Sequence, residues 1–177
     1  MLDNFDALVG SIVALRPMVV ADITPEYVGW LNDPEVVKYS NQRFVRHTLE
    51  SSRTYFDGFL LSPNRFVSIR SKVDGRLVGT MTAYASPQHQ TVDVGIMVGL
   101  QSVWGKGIGQ DAWNTMLLWL ENQRQVRKIT AGTMRCNAAM VKLIERSGLD
   151  LEAIRPKQEL LDGTAQDLLY FGKICAR

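Results

Sequence analysis

Two cysteines among 177 residues, Cys136 and Cys175, are too few and too far apart for a zinc cluster or a CxxC redox pair. Lone thiols of this kind fit a reducing compartment, so the expected location is the cytoplasm, and no metal site is expected. A net charge of +2 with no Lys/Arg-rich block argues against nucleic acid as a partner. No apolar run approaches the roughly 20 residues of a membrane span, so no membrane partner is expected either. The opening MLDNFDALVGSIVAL has acids where a signal peptide needs bases, and Gly10 and Ser11 break its apolar stretch. Residues 1–11 are therefore read as a weakly determined extension before a single domain over 12–177. Internal repeats and low-complexity segments are also missing.

What is present is an ordinary globular composition, 46% apolar and 21% charged. IVALRPM (12–18) reads as a strand. A helix follows with Thr24 as N-cap and Pro25 at its first position, and Asp33-Pro34 starts a second short one. Another helical pattern runs over 47–61. RFVSIRS (65–71) and RLVGTMTAY (76–84) flank Asp74-Gly75, a hairpin signal, and TVDVGIMV (91–98) is a further strand. The period then turns helical, with Ile108, Ala112, Met116 and Leu120 on one stripe and Trp113 and Trp119 beside it. KITAGTMRC (128–136) returns to β, residues 137–146 form a short helix, and two runs about Asp162-Gly163 close the chain as a hairpin. This order predicts an α+β domain around one central mixed, mostly antiparallel sheet with flanking helices, not a doubly wound βαβ fold.

SVWGKGIGQDAW (102–113) carries three alternating glycines before the long helix. A P-loop needs Ser or Thr after Gly-Lys, and Gly107 stands there; a dinucleotide fingerprint needs a third glycine at Gln110. Both motifs fail. The physical logic of an anion site remains: a strand enters a turn without side chains, and the turn feeds a helix N-terminus with free N–H groups. Gly105, Gly107 and Gly109 admit a pyrophosphate to those amides, and Lys106 can add charge.

WGKGIGQDAW preceded by VDVGIMVG and followed by NAAMVKLIERSGL resembles the GNAT superfamily of acyl-CoA N-acyltransferases. Its phosphate turn, Gln/Arg-x-x-Gly-x-Gly/Ala, falls on Trp104-Gly105-Lys106-Gly107-Ile108-Gly109, with Trp104 in the leading place. That substitution, and WLNDPEVVKYSNQRF near the N-terminus, look like the branch containing ribosomal-protein-alanine, diamine and amino-sugar acetyltransferases. A second motif maps to Asn137, Met140, Glu145, Arg146, Gly148 and Leu149. The resemblance covers residues 12–174. It implies a sheet splayed between its fourth strand (91–98) and fifth strand (128–136), with acetyl-CoA as co-substrate. The pantetheine arm would pair with the backbone of Ile96, Met97 and Val98, as an added strand does. The pyrophosphate would lie on the amides of Trp104, Gly105, Lys106, Gly107, Ile108 and Gly109.

Acetylation of an amine requires a neutral nucleophile, and an alkylammonium of pKa about 10 must first lose a proton. Asp93 occupies the place where related enzymes often carry Glu and is the expected base, acting through water, with His89 as its rival. An N–H of Met97 or Val98 would stabilise the oxyanion. Relatives supply a thiolate acid as Ser at the Met140 position or Tyr at the Ile144 position, and this chain has neither. Asn137 is expected to donate to the thiolate or to hold the pantetheine, with Cys136, Ser147 and Tyr170 as weaker choices. Tyr39, Asn41, Gln42, Arg43, Arg46 and His47 form a polar cluster where acceptors are held. Arg43 could pair with a phosphate or carboxylate, which suits a nucleotide-linked amino sugar, or belong to an ordinary surface loop. The expectation is direct acetyl transfer to a small primary amine. A protein N-terminus is the alternative acceptor, a non-catalytic acyl-CoA-binding module the alternative class, and a homodimer would cover exposed sheet edges.

Overall fold

The computed structural model describes residues 2–175. Eight strands form one sheet: β1 (Leu8–Val9), β2 (Val13–Pro17), β3 (Arg65–Ser71), β4 (Leu77–Ser86), β5 (Thr91–Val98), β6 (Lys128–Met134), β7 (Asp150–Leu161) and β8 (Thr164–Ile174). Their spatial order is β1-β2-β3-β4-β5-β6-β8-β7. Every neighbouring pair is antiparallel except β5 and β6. Five α-helices join them: α1 (Pro25–Leu31), α2 (Pro34–Val37), α3 (Leu49–Leu60), α4 (Ile108–Glu121) and α5 (Ala138–Glu145). This is a single α+β fold of the expected class.

The helix starts follow from capping chemistry. Thr24 accepts from the Tyr27 N–H and Asp33 from the Glu35 N–H, each with proline next in line where no N–H is needed. At the C-terminal hairpin, Asp162 and Gly163 take φ of 49° and 76°, the left-handed pair that a two-residue turn requires.

The apolar stripe of α4 fills the main core. Ala112, Trp113, Met116 and Leu120 are fully buried in one cluster with Leu15, Ile69, Met81 and Ile129 from the sheet. Side chains of this size each contribute about 1.5–3 kcal/mol on burial, so this face accounts for much of the stability. A second cluster lies with α1 and α3: Tyr27, Trp30, Phe56 and Phe59 pack on Phe66 of β3.

Residues 2–11, expected to be weakly determined, are held. Leu2 is buried, Phe5 packs edge-on against Trp119 at 4.9 Å, and Leu8–Val9 pair with β2. The anchor is Asp111 in the first turn of α4, whose carboxylate accepts from the N–H groups of Ser11, Ile12 and Val13 at 3.0, 2.8 and 3.0 Å.

The β5–β6 ladder is short. Its pairs run only from Thr91–Lys128 to Asp93–Thr130, although β5 continues to Val98 and β6 to Met134. Beyond Asp93 the strands diverge, and the sheet opens between the two strands that the sequence counts as fourth and fifth.

Candidate active site

The opening carries one continuous cavity of about 1140 Å³ that reaches both faces of the sheet. On the α4–α5 side its walls include Val98, Gly105, Gly107, Gly109, Asn137 and Met140. On the α1–α3 side they include Tyr27, Tyr55, Phe66, Thr82 and Tyr84.

The glycine turn builds the first wall. Gly105 and Gly107 have φ of 73° and 82°, a region that L side chains resist. Gly107 is the N-cap of α4 and offers no side chain to its first turn. The amides of Ile108, Gly109 and Gln110 therefore meet no protein cap, and they lie at the positive end of the helix dipole. Not all of the expected cradle takes part. The N–H groups of Trp104 and Lys106 are spent on Gln101 and Val103 carbonyls, and the Lys106 side chain is exposed outside the cavity. The cations that do line this half are Lys142 and Arg146 of α5. Gln110, standing where a dinucleotide motif wants glycine, ties α4 to α5 through the Ser147 Oγ and the Leu143 carbonyl.

Strand alternation decides which backbone groups face the opening. The Gly99 N–H donates to the Val78 carbonyl, and Met97 stands opposite Thr80. The period of two then turns Met97 toward β4 and leaves Ile96 and Val98 on the free edge. Three consecutive residues cannot all pair with one extended arm, so Met97 drops out as a backbone partner. It stays in the cavity wall through its side chain. The Val98 carbonyl is already taken by the Trp104 indole N–H at 2.8 Å. Ile96 keeps both groups and Val98 keeps its N–H. The amides at the turn and this open edge fit a pyrophosphate joined to an extended arm.

Asp93 lies where the β5–β6 ladder ends, and its Oδ2 accepts from the Thr130 hydroxyl at 2.8 Å. Burial raises its pKa above the usual carboxylate value, and the Thr130 hydrogen bond only partly opposes this. It stands opposite Tyr84 on β4, one position behind the cavity wall. His89 is exposed on the β4–β5 turn and does not line the cavity.

Asn137 reaches the cavity but is largely committed. Its Oδ1 accepts from the Met140 N–H at 3.3 Å, and its Nδ2 donates to the Thr133 Oγ1 at 3.1 Å. Met140 lines the cavity, whereas Ile144 is fully buried in the core. Cys136, Ser147 and Tyr170 stay out of the cavity; the Ser147 hydroxyl donates to Leu143 and the Tyr170 ring lies under Arg155.

The polar cluster 39–47 divides. Tyr39, Gln42 and His47 line the cavity, whereas Asn41, Arg43 and Arg46 do not. The Arg43 guanidinium is held by the carbonyls of Ser40 and Leu160 at 2.7 and 2.9 Å and lies over the Phe44 ring. It is turned to the β7 strand, not to a ligand. His47 is fixed by backbone bonds in both directions with the Asn32 carboxamide.

Sequence reasoning named Tyr39 beside the acceptor but gave no site role to Tyr27, Tyr55 or Tyr84. The hydroxyls of Tyr55 and Tyr84 are 2.5 Å apart, and Phe59 and Phe66 brace the Tyr55 ring at 5.1 and 5.5 Å. Burial raises the pKa of Tyr55, and the bond to Tyr84 raises it further; burial also raises that of Tyr27. Tyr55 reads in the sequence as an apolar position of the 47–61 helical pattern, and in α3 its ring does pack against Phe59.

A sheet splayed beyond Asp93, with a glycine turn at the opening, is the architecture that the GNAT resemblance implies. Residues 13–150 match the family model described as Acetyltransferase (GNAT) domain. The ribosomal L7/L12 alpha-N-protein acetyltransferase RimL in complex with coenzyme A superposes with a TM-score of 0.82 at 16% identity, over 95% of this chain and 97% of that one. The spermidine N-acetyltransferase from Vibrio cholerae, in complex with CoA and spermine, gives 0.82 at 16% identity over 93% and 96%. The microcin C7 self-immunity acetyltransferase MccE, with acetyl-CoA and AMP, gives 0.78 at 16% identity over 93% of each chain. The chain belongs to the GNAT acetyltransferase family. The domain it carries is that of an acetyltransferase.

Among the described residues no three His, Cys, Asp or Glu side chains converge on a metal position, and no helix is long and apolar enough to cross a membrane.

Proposed function

We propose that this enzyme transfers the acetyl group to a primary amine by direct attack within a ternary complex. The observation that carries the reading is the continuous cavity through the sheet, with the glycine turn on one side and a separate aromatic wall on the other. Two substrates entering from opposite faces can meet at the breach without a covalent enzyme intermediate, and Cys136 lies outside it.

In that reaction the amine nitrogen bonds to the thioester carbon, the C–S bond breaks, the nitrogen loses a proton and the thiolate gains one. The Val98 N–H on the open edge stabilises the oxyanion, and Asp93 takes the amine proton through water. A thiol of pKa about 8.5 leaves without a dedicated acid, which suits apolar Met140 and Ile144 at the acid positions. Those two residues also favour the alternative of a module that binds acyl-CoA without turnover. An amino sugar finds no support, because Arg43, the cation its phosphate would need, is bound to backbone carbonyls. The two free thiols keep the cytoplasm as the proposed location, and the outer strands β1 and β7 leave edges for a homodimer, which sedimentation would reveal.

Calorimetry with acetyl-CoA, followed by thiol release with amines, tests the proposal. Initial-rate lines that intersect support a ternary complex, and parallel lines overturn it. Binding with no thiol release for any amine selects the non-catalytic module.

A further inference from the structure

The half of the cavity between α1–α3 and β3–β5 determines what kind of amine can enter. Its surface is built from the rings of Tyr27, Tyr39, Tyr55, Phe66 and Tyr84, with aliphatic side chains between them. The rings are braced from behind: Phe59 stacks on Phe66 at 5.0 Å and meets Tyr84 at 5.6 Å. Phe66 and Tyr84 thus share Phe59 as a common support.

Charge is scarce on this wall. Glu35 is the only carboxylate lining the cavity among the described residues, and it faces Lys38 at 3.9 Å, both at the solvent-exposed rim. Lys142 and Arg146 belong to α5, on the other side of the sheet. The polar groups that remain are hydroxyls of tyrosine, threonine and serine, the Gln42 carboxamide and the His47 imidazole. Within the Tyr55–Tyr84 pair one hydroxyl donates to the other, so a single O–H is left to meet a ligand acceptor.

A second ammonium placed here would lose water and find no carboxylate to replace it. A phosphate would find only Lys38, out at the rim and facing Glu35. A ring or branched alkyl group, in contrast, gains by leaving water for the aromatic wall.

Resting on the acetyl-transfer reading above, we infer that the acceptor is a primary amine carried on an apolar body of about aromatic-ring size, with no second charged group. This separates the chain from acceptors recognised by charge, such as polyamines and phosphorylated amines.

The test is a kcat/KM series on the full-length enzyme with acetyl-CoA, following free thiol. The amines are phenethylamine, tyramine, hexylamine, ethanolamine, spermidine, glucosamine 6-phosphate and a serine-initiated peptide. Phenethylamine and tyramine are expected to exceed ethanolamine and spermidine by about tenfold or more. Highest kcat/KM for spermidine, the sugar phosphate or the peptide overturns the inference, and so does thiol release with none of the seven. Acetyl-CoA calorimetry on the same preparation separates the two readings: binding without aromatic preference removes only the substrate class, and no binding removes both. A second measurement uses Val36→Asp, which puts a carboxylate into the wall. The ratio of kcat/KM for 1,6-diaminohexane over hexylamine should rise about tenfold, with folding checked by circular dichroism; an unchanged ratio counts against this half of the cavity as the acceptor site.

Discussion

The indole N–H of Trp104 donates to the main-chain carbonyl of Val98 at 2.8 Å, joining the glycine turn to the last residue of the splayed strand. The bond fixes how far the turn stands from the open edge of β5. Trp104→Phe keeps an aromatic ring and removes the donor. We expect acetyl-CoA to bind about five-fold more weakly by calorimetry, the value of one hydrogen bond near 1 kcal/mol. Equal affinity in the variant would show that the bond does not set the turn.

The two left-handed glycines should respond differently. A Cβ at Gly105 meets nothing within 4 Å, and one at Gly107 meets only Ile12 Cδ1 at 3.7 Å, so both substitutions act through backbone strain. Gly105→Ala and Gly107→Ala should each cost about 1 kcal/mol in urea unfolding. Gly107 is also the N-cap of α4, so its variant should lose acetyl-CoA affinity beyond the loss seen at Gly105.

Asp93 carries the expected pH dependence. Its pKa is raised by burial, so the base form fills only as pH climbs through that elevated value, and kcat/KM should rise over the same interval. Asp93→Asn should lower kcat by about 10²-fold or more and abolish that acid limb. The stability sign is opposite. A carboxyl whose folded pKa is raised favours folding below its unfolded pKa, and that contribution is lost as pH rises through the folded value. Asp93→Asn should therefore leave neutral-pH stability unchanged or slightly higher, and an unaltered pH–rate profile would remove Asp93 from the chemistry.

Asp111 shows the reverse case. Burial pushes its pKa up, but the N–H groups of Ile12, Ser11 and Val13 outweigh it and hold the carboxyl below its usual value. Its contribution is present above the unfolded pKa of about 4 and is lost as pH falls through the lower folded value. Asp111→Ala should destabilise by about 2 kcal/mol at neutral pH and flatten the acid side of the stability curve. Amide exchange should then quicken first in residues 8–13.

Much of the sheet could be read directly from residue order. RFVSIRS and TVDVGIMV mark their strands to the residue, because β-branched side chains and Asp-Gly turns are local signals. The anchoring of residues 2–11 was not local: the partner of Ile12 is 99 positions away in a helix read for its apolar stripe. Arg43 was placed beside the acceptor for the same reason in reverse, since the carbonyl that captures it lies 117 positions on. The glycine turn could be read because its chemistry is backbone chemistry within a few residues. The tyrosine wall could not, because a ring on an apolar helix face looks the same whether it faces a core or a cavity.

The breach beyond Asp93 and Thr130 also divides the cavity lining along the chain. Much of the ring-lined acceptor wall is encoded between Tyr27 and Tyr84, ahead of everything that builds the α4–α5 wall between Val94 and Arg146. The two stretches share one core and the Asp111–Ile12 anchor, so substitutions confined to the lining, not exchange of a whole segment, would change one side without the other. New acceptor preferences would arise from changes upstream of β5 while the downstream reader of the donor stays intact.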